Sequence, residues 1–153
     1  MRPSKVFILS ALFALIQVTL LDYFKLFGVK PDLLLIAVFL GCLFLDFKRA
    51  MFLAISTGFF KDIFSFRFFG FNTVLFALWV LLLNHLMRRV SIEDNLSRTV
   101  VIFTVALLSN VIAGLALLYL GAHLPVGGFL RIVIISPIYT VLIFSLIIKY
   151  FVK

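Results

Sequence analysis

The stretch Thr99–Leu120, TVVIFTVALLSNVIAGLALLYL, contains no charged side chain. A helix needs about 20 mainly apolar residues to cross the hydrocarbon layer of a membrane. A helix that is apolar on every face belongs either in the core of a large protein or in a bilayer. Since the whole chain has only 153 residues, the stretch predicts a transmembrane helix and places the chain among the all-α integral membrane proteins.

The composition of the rest of the chain agrees with this interpretation. Hydrophobic residues make up 65% of the sequence and charged residues 13%, against about half and about a quarter in soluble domains. The formal net charge is +8, but the basic residues stand in small groups between apolar runs and form no continuous stripe. This pattern is typical of the edges of membrane helices and argues against nucleic-acid binding. Membrane lipids are therefore an expected partner.

Charged and turn-forming segments divide the sequence into six apolar runs. We predict a single transmembrane domain, 1–153, in the form of a six-helix bundle. The predicted helices cover about residues 6–21, 31–47, 49–64, 70–87, 99–120 and 131–149. The basic start and first apolar run resemble a secretory signal, but no small-x-small cleavage site follows, which favours an uncleaved first helix.

The second and third runs are short and leave two alternatives open. They are either two spanning helices or a hairpin that enters and leaves on one side of the membrane. The turn between them carries Asp46, Lys48 and Arg49, and each charge costs roughly 2.5–3.5 kcal/mol at the centre of a bilayer. Two spans are therefore preferred, with some hydrophobic mismatch.

Six spans place nine of the 14 Lys and Arg residues on the side that holds the N-terminus and the other five on the opposite side. Cytoplasmic loops carry the excess of positive charge in membrane proteins. We therefore predict that both termini are cytoplasmic. The region 121–128, with Pro125 and the pair Gly127-Gly128, is predicted to be a loop before the sixth helix.

The pair Lys61-Asp62 is the most informative polar feature of the sequence. Two charges at the end of a short apolar helix need partners or water, so the pair is either an interfacial anchor or a polar node that organises neighbouring helices. Asn72 and Thr73 are candidate hydrogen-bond partners. Nearby, Gly58 and Gly70 would allow close approach of the backbone.

The fifth run presents a second pattern, with Ala106, Asn110 and Gly114 at four-residue spacing. Small residues at this spacing let helices pack closely. We expect a helix-packing face, either within the chain or towards a partner protein. In the fourth run, Trp79 lies far from the usual interfacial belt of aromatic residues and is expected to be buried.

The sequence contains no recognisable catalytic constellation. His85 and His123 are predicted to lie on opposite sides of the membrane, and no His or Cys pair has metal-ligand spacing. Asp46 and Asp62 flank one helix at opposite ends, too far apart to act together. We therefore expect neither an enzyme nor a bound metal or cofactor.

Two stretches resemble the rod shape-determining protein MreD family. Lys30–Ile36, KPDLLLI, is similar to the Pro-Asp-Leu-Leu-Leu sequence that opens the family's second helix. Gly58–Ser65, GFFKDIFS, followed by Gly70–Thr73, GFNT, resembles its Gly-x-x-x-Asp-x-x-Ser and Gly-x-Asn pattern. Beyond residue 73 the resemblance is one of hydropathy alone.

The resemblance implies a non-enzymatic subunit of the bacterial cell-elongation machinery in the inner, or plasma, membrane. The implied fold is similar to that of the substrate-binding subunits of energy-coupling-factor transporters. The implied partners are the bitopic protein MreC and, directly or indirectly, the MreB filament, RodA and its transpeptidase partner; a homo-oligomer is also possible. On this basis Asp32 joins Gly58, Lys61, Asp62, Gly70 and Asn72 as a predicted structural or partner-binding node near the outer face.

A rival hypothesis is a small-molecule, vitamin-like binding subunit of a membrane transporter. Such a subunit would need a polar pocket between its helices. The predicted interior offers few polar side chains for one, and they are Gln17, Thr57, Asn72, Thr104, Asn110 and Thr140. The two hypotheses are therefore distinguished by whether a ligand or a protein partner co-purifies with the chain.

Overall fold

The computed structural model describes residues 2–19, 23, 29–64, 69–121, 123 and 125–151. These residues form six helices, which confirms the helical part of the predicted fold. The helices are α1 (Pro3–Thr19), α2 (Leu33–Phe44), α3 (Phe47–Phe64), α4 (Phe71–Arg89), α5 (Asn95–Tyr119) and α6 (Val126–Phe151).

Three of the described helices are long and apolar enough to cross a membrane. They are α4 over Phe71–Arg89, α5 over Asn95–Tyr119 and α6 over Val126–Tyr150. At about 1.5 Å per residue, the 25 residues of α5 are longer than the ~30 Å hydrocarbon layer is thick. The length and composition of these three helices indicate a membrane protein. The 18 residues of α3 include four charges, Lys48, Arg49, Lys61 and Asp62.

The chain divides into two compact units. The first comprises Met1–Leu21 and Leu33–Glu93 and contains α1 to α4. Its central element is α2, which packs against α1, α3 and α4 and buries every residue from Leu33 to Gly41. The 12 residues of α2 rise only about 18 Å. Its apolar faces are thus explained by neighbouring protein, as expected for a helix buried on all sides.

Two contacts fix the directions of the first three helices. At the end of α1, the Gln17 side-chain oxygen accepts the Leu33 N–H at the start of α2, at 3.0 Å. Near the end of α2, Gly41 lies against the beginning of α3, where a Cβ on this glycine would be 3.0 Å from Leu53 Cδ2. Because α2 is antiparallel to both neighbours, α1 and α3 run in the same direction.

The second unit comprises Asp22–Asp32 and Asp94–Lys153 and contains α5 and α6, which pack together. The segment before α2 is attached to α6 by two hydrogen bonds. Ser136 Oγ donates to the Lys30 carbonyl at 3.1 Å, and the Asp32 N–H donates to Thr140 Oγ1, also at 3.1 Å. Most of the segment 22–30, between the first and second predicted helices, lies outside the described residues.

The predicted start of the sixth helix at residue 131 is wrong, because α6 begins at Val126. The predicted loop 121–128 is therefore helical from Val126 onwards, including Gly127 and Gly128. Proline is favoured at helix starts because it lacks an N–H and fixes φ, and the Pro125 carbonyl accepts the first-turn N–H of Phe129 at 3.0 Å. A first turn therefore forms despite the two glycines, each of which costs up to about 1 kcal/mol.

The other boundaries differ by smaller amounts. α5 begins at Asn95 rather than 99, since the Arg98 N–H is bonded to the Asp94 carbonyl at 3.1 Å and a helix can extend past its apolar section into polar residues. α2 ends at Phe44 rather than 47, before the charged turn. α1 begins at Pro3 rather than 6, and residues 20 and 21 of the prediction lie outside the described residues.

Candidate functional site: the carboxylate at the α3–α4 corner

The Asp62 carboxylate, in the last turn of α3, accepts five hydrogen bonds from the start of α4. Oδ1 accepts the backbone N–H of Asn72 at 3.0 Å and its side-chain Nδ2 at 2.9 Å. Oδ2 accepts the N–H groups of Gly70 at 3.0 Å and Thr73 at 3.1 Å, and the Thr73 hydroxyl at 2.7 Å. The side chain is buried, with 2% of its surface exposed. Both carboxylate oxygens are therefore fully engaged.

This arrangement caps α4 with a side chain from the preceding helix. The first N–H groups of a helix have no partner within it and are usually satisfied by the N-cap side chain. Here the N-cap is Gly70, which has no side chain, and Asp62 supplies the missing acceptor. A negative charge is unfavourable at the C-terminal end of its own helix but favourable at the N-terminal end of another. The carboxylate thus holds the two helix ends together.

Two glycines fit this corner for different reasons. A Cβ at Gly58 would lie 2.5 Å from Thr73 Cα and 2.9 Å from the Asn72 carbonyl oxygen, so α3 and α4 approach at backbone distance. Gly70 has φ +95°, in the left-handed region that glycine adopts readily, and a Cβ there would contact nothing. The expectation of close backbone approach therefore holds at Gly58, whereas Gly70 serves the turn.

Lys61 and several exposed aromatic side chains surround the corner. Lys61 Nζ lies 5.2 Å from the centroid of the Phe76 ring, within the distance of a cation–π contact. The rings of Phe59 and Phe69 meet edge to face, with their centroids 5.4 Å apart, and Phe69 is 73% exposed. We use the term aromatic patch for the exposed side chains Phe59, Ile63, Phe64 and Phe69.

The predicted node is divided between the two units. Asp62, Gly70 and Asn72 meet directly, Gly58 contacts the same backbone, and Lys61 precedes the carboxylate. Asp32 belongs to the second unit, where its N–H is bonded to Thr140. Ser65, the last residue of the Gly58 motif, lies outside the described residues.

The structure adds one essential member to the node, and it is Thr73. Its N–H and its hydroxyl supply two of the five donors. The sequence had indicated Thr73 as a hydrogen-bond partner, because it follows Asn72 directly. Ser136, which donates to the Lys30 carbonyl, gave no such signal, since a serine within an apolar run is ordinary in a membrane helix.

The predicted packing face of α5 contacts α6 at Gly114. Gly114 lies against Phe129, whose ring would collide with a Cβ there. Ala106 is fully buried, whereas Asn110 is partly exposed. Between them, the buried Ser109 Oγ has no hydrogen-bond partner among the described residues. The face therefore packs within the chain at least at Gly114.

The hydrogen bonds at the α3–α4 corner favour a structural role for Asp62. A carboxylate whose two oxygens accept five hydrogen bonds is poorly placed to take a proton from a substrate or to bind a metal. Within the described residues, no three His, Cys, Asp or Glu side chains lie close enough together to hold a metal ion. The arrangement can fix the end of α3 relative to the start of α4. It thereby also fixes the position of the aromatic patch.

Comparison with known proteins adds no further constraint. No family model, no curated protein and no solved structure matches the chain.

Proposed function

We propose that this chain is a non-enzymatic scaffold subunit of the bacterial cell-elongation machinery. In this proposal it is a six-span protein of the inner membrane, with both termini in the cytoplasm, and it belongs to the MreD family. It binds the bitopic protein MreC and thereby links the cell-wall enzymes RodA and its transpeptidase partner to the MreB filament.

The observation that carries the proposal is the coincidence of motif and geometry at the α3–α4 corner. The residues that give the resemblance, Gly58, Asp62, Gly70 and Asn72, make a single connected arrangement around one carboxylate. If the motif reflected only the general hydrophobicity of the chain, it would not be expected to include both a carboxylate and the residues that donate hydrogen bonds to it. We therefore interpret the spacing of these residues as the sequence requirement of the α3–α4 corner.

The position of the corner also favours a scaffold over an enzyme. Under the proposed topology, α3 ends and α4 begins on the outer side of the membrane, where the extracytoplasmic part of a bitopic partner is located. The aromatic patch stands there on a rigid support, and aromatic side chains are enriched at protein interfaces. Exposed apolar patches are typical of interaction surfaces. We therefore assign MreC binding to the aromatic patch.

Co-purification tests the proposal. The tagged chain is expressed with the MreC of the same organism, and the amount of MreC recovered per chain is measured. We expect Asp62→Ala to lower this ratio severalfold, because the support of the patch is lost. The matched control is Asp94→Asn, at an exposed N-cap whose side chain makes no capping hydrogen bond. Failure of the unmodified chain to recover MreC would reject the proposal.

The transporter hypothesis makes a different prediction for the same preparation. A vitamin-binding subunit would carry a small polar molecule, which mass spectrometry of the purified chain would detect, and MreC recovery would be absent. Recovery of MreC without such a ligand favours the scaffold.

A further inference from the structure

A groove of about 430 Å³ lies between α1 and α3, both of which belong to the first unit. Its volume is in the usual range of ligand sites, roughly 300–1,000 Å³. The walls combine small side chains with aromatic rings. They include Phe7, Ser10, Ala14, Phe52, Thr57 and Phe60. The groove thus offers an elongated apolar surface along two helices.

The three hydroxyl groups that line the groove are already engaged. Ser10, Ser56 and Thr57 each donate to a backbone carbonyl three or four residues earlier in the same helix, at 2.8 Å. A polar ligand would therefore find no unused hydroxyl donor in these walls. The walls of the groove therefore favour a hydrocarbon chain over a polar ligand.

Basic residues occur at the start of each of the two helices that form the groove. Since α1 and α3 run in the same direction, their first residues lie at the same end. The basic residues at this end are all exposed, and they are Arg2, directly before α1, Lys5 in α1, and Lys48 and Arg49 in α3. Asp46, also exposed at this end, reduces the sum of charges from +4 to +3. We call this end of the groove, with Arg2, Lys5, Asp46, Lys48 and Arg49, the mouth. An apolar groove with a basic mouth is complementary to a lipid that has an acyl chain and an anionic headgroup.

We propose that this groove is a binding site for an anionic phospholipid. One acyl chain lies along the apolar walls between α1 and α3, and the headgroup phosphate pairs with the basic residues at the mouth. The inference rests on the proposed membrane topology, which places this end at the cytoplasmic surface, where anionic lipids attract juxtamembrane basic residues.

Charge also argues against a transmembrane helix of a partner protein in the same groove. Such a helix carries its own Lys and Arg residues predominantly at the cytoplasmic end. They would meet the positive mouth and be repelled. A phosphate in that position is attracted instead, so the observations favour the lipid.

The test is a competition between two lipids in native mass spectrometry of the full chain in detergent. Dioleoylphosphatidylglycerol and dioleoylphosphatidylcholine have identical acyl chains and differ in headgroup charge. At equal concentrations we expect at least about fivefold more bound phosphatidylglycerol, since each basic residue that engages the phosphate favours the anionic lipid about fivefold. Equal binding of the two lipids would overturn the proposal.

Two variants locate the site. Lys48→Gln/Arg49→Gln removes two charges from the mouth and is expected to reduce the preference at least about fivefold. The control Arg88→Gln/Arg89→Gln removes another exposed basic pair, at the end of α4, and is expected to leave the preference for phosphatidylglycerol unchanged. A control that loses as much preference as the mouth variant would show that general surface charge, not the groove, attracts the lipid.

A variant with bulky side chains in the groove tests whether the acyl chain binds there. Ala11 and Ser56 both line the groove and are exposed, so Ala11→Phe/Ser56→Phe adds bulk outside the packed core. A monodisperse, normally melting preparation of this variant should bind less of both lipids. Retention of all bound phosphatidylglycerol would overturn the proposal, as would loss of MreC recovery with lipid binding unchanged, since the groove would then hold a partner helix.

The outcome for the lipid site is separable from the outcome for the scaffold. If the unmodified chain recovers MreC but does not prefer phosphatidylglycerol, the lipid proposal fails and the proposed function stands. If it prefers phosphatidylglycerol through the mouth residues but never recovers MreC, the proposed function fails and the lipid site stands.

Discussion

Asp62 and Asn72 are joined twice through one atom. Oδ1 of the carboxylate accepts both the backbone N–H of Asn72, at 3.0 Å, and its side-chain amide, at 2.9 Å. The residues are ten positions apart, on opposite sides of the connection between α3 and α4. A double contact of this kind fixes both the position and the rotation of the start of α4. The aromatic patch depends on this geometry because Phe59 and Phe69 belong to the two sides of the same corner.

Loss of the Asp62 carboxylate should destabilise the folded chain. Asp62→Ala leaves the first donors of α4 without their acceptor, and we expect the free energy of unfolding to fall by about 2–4 kcal/mol. Asp62→Asn keeps one acceptor oxygen and should lose about half as much. Reversible denaturant titration in detergent measures both values. An unchanged unfolding free energy for Asp62→Ala would mean that the five hydrogen bonds contribute nothing net.

A side chain at Gly58 should separate α3 from α4. The Cβ of Gly58→Ala would meet the backbone of Thr73 at 2.5 Å, and backbone cannot move aside as a side chain can. We expect a loss of about 1–3 kcal/mol, as for other overpacked sites. The control is Gly127→Ala, in α6 and with no atom within 4 Å of its new Cβ. This control should be neutral or stabilise by up to about 1 kcal/mol, and equal melting of the two variants would refute close packing at Gly58.

Trp79 should tolerate replacement by another aromatic residue. The side chain is buried, with 7% exposed, as the sequence predicted, but its indole N–H has no hydrogen-bond partner among the described residues. Trp79→Phe removes this unsatisfied donor while keeping most of the packing, so we expect a change within about 1 kcal/mol. Trp79→Ala should lose about 3–5 kcal/mol. Thermal melting followed by circular dichroism compares them, and a large loss for Trp79→Phe would reveal a partner for the indole.

Labelling with a membrane-impermeant maleimide distinguishes the two alternatives for α2 and α3. In a Cys42→Ser background, Lys48→Cys should react in inside-out vesicles and not in right-side-out ones, because two spans place it in the cytoplasm. Tyr119→Cys, at the exposed end of α5, should show the opposite pattern. A hairpin that keeps Lys48 inside the membrane would leave it unlabelled from both sides.

The sequence predicted where the helices lie in the chain better than it predicted what surrounds each helix. Runs of apolar residues longer than a membrane is thick identify α5 and α6 without reference to anything else in the chain. The same reasoning predicted a helix over residues 31–47 for the second run, whereas α2 has 12 residues and packs against α1, α3 and α4. Hydropathy alone cannot distinguish lipid from buried protein as the surroundings of an apolar helix.

The candidate site was predictable where its residues are close in sequence. Asp62, Asn72 and Thr73 could be connected because one short segment separates them. Asp32 was assigned to the same node through the resemblance alone, and its observed partner, Thr140, is 108 positions away. Contacts at that separation depend on how the chain folds back on itself, which no local pattern encodes. The groove between α1 and α3 was missed for the same reason.

Photocrosslinking in living cells tests the central claim, that the corner supported by Asp62 presents the MreC-binding surface. A benzophenone amino acid is placed at Phe69, in the aromatic patch, and at Tyr119 as the control, which is 91% exposed and on the same predicted side of the membrane. We predict a crosslink to MreC from position 69 that Asp62→Ala abolishes, and none from position 119. A crosslink from position 119 alone, or no crosslink to MreC from either position, would contradict the account.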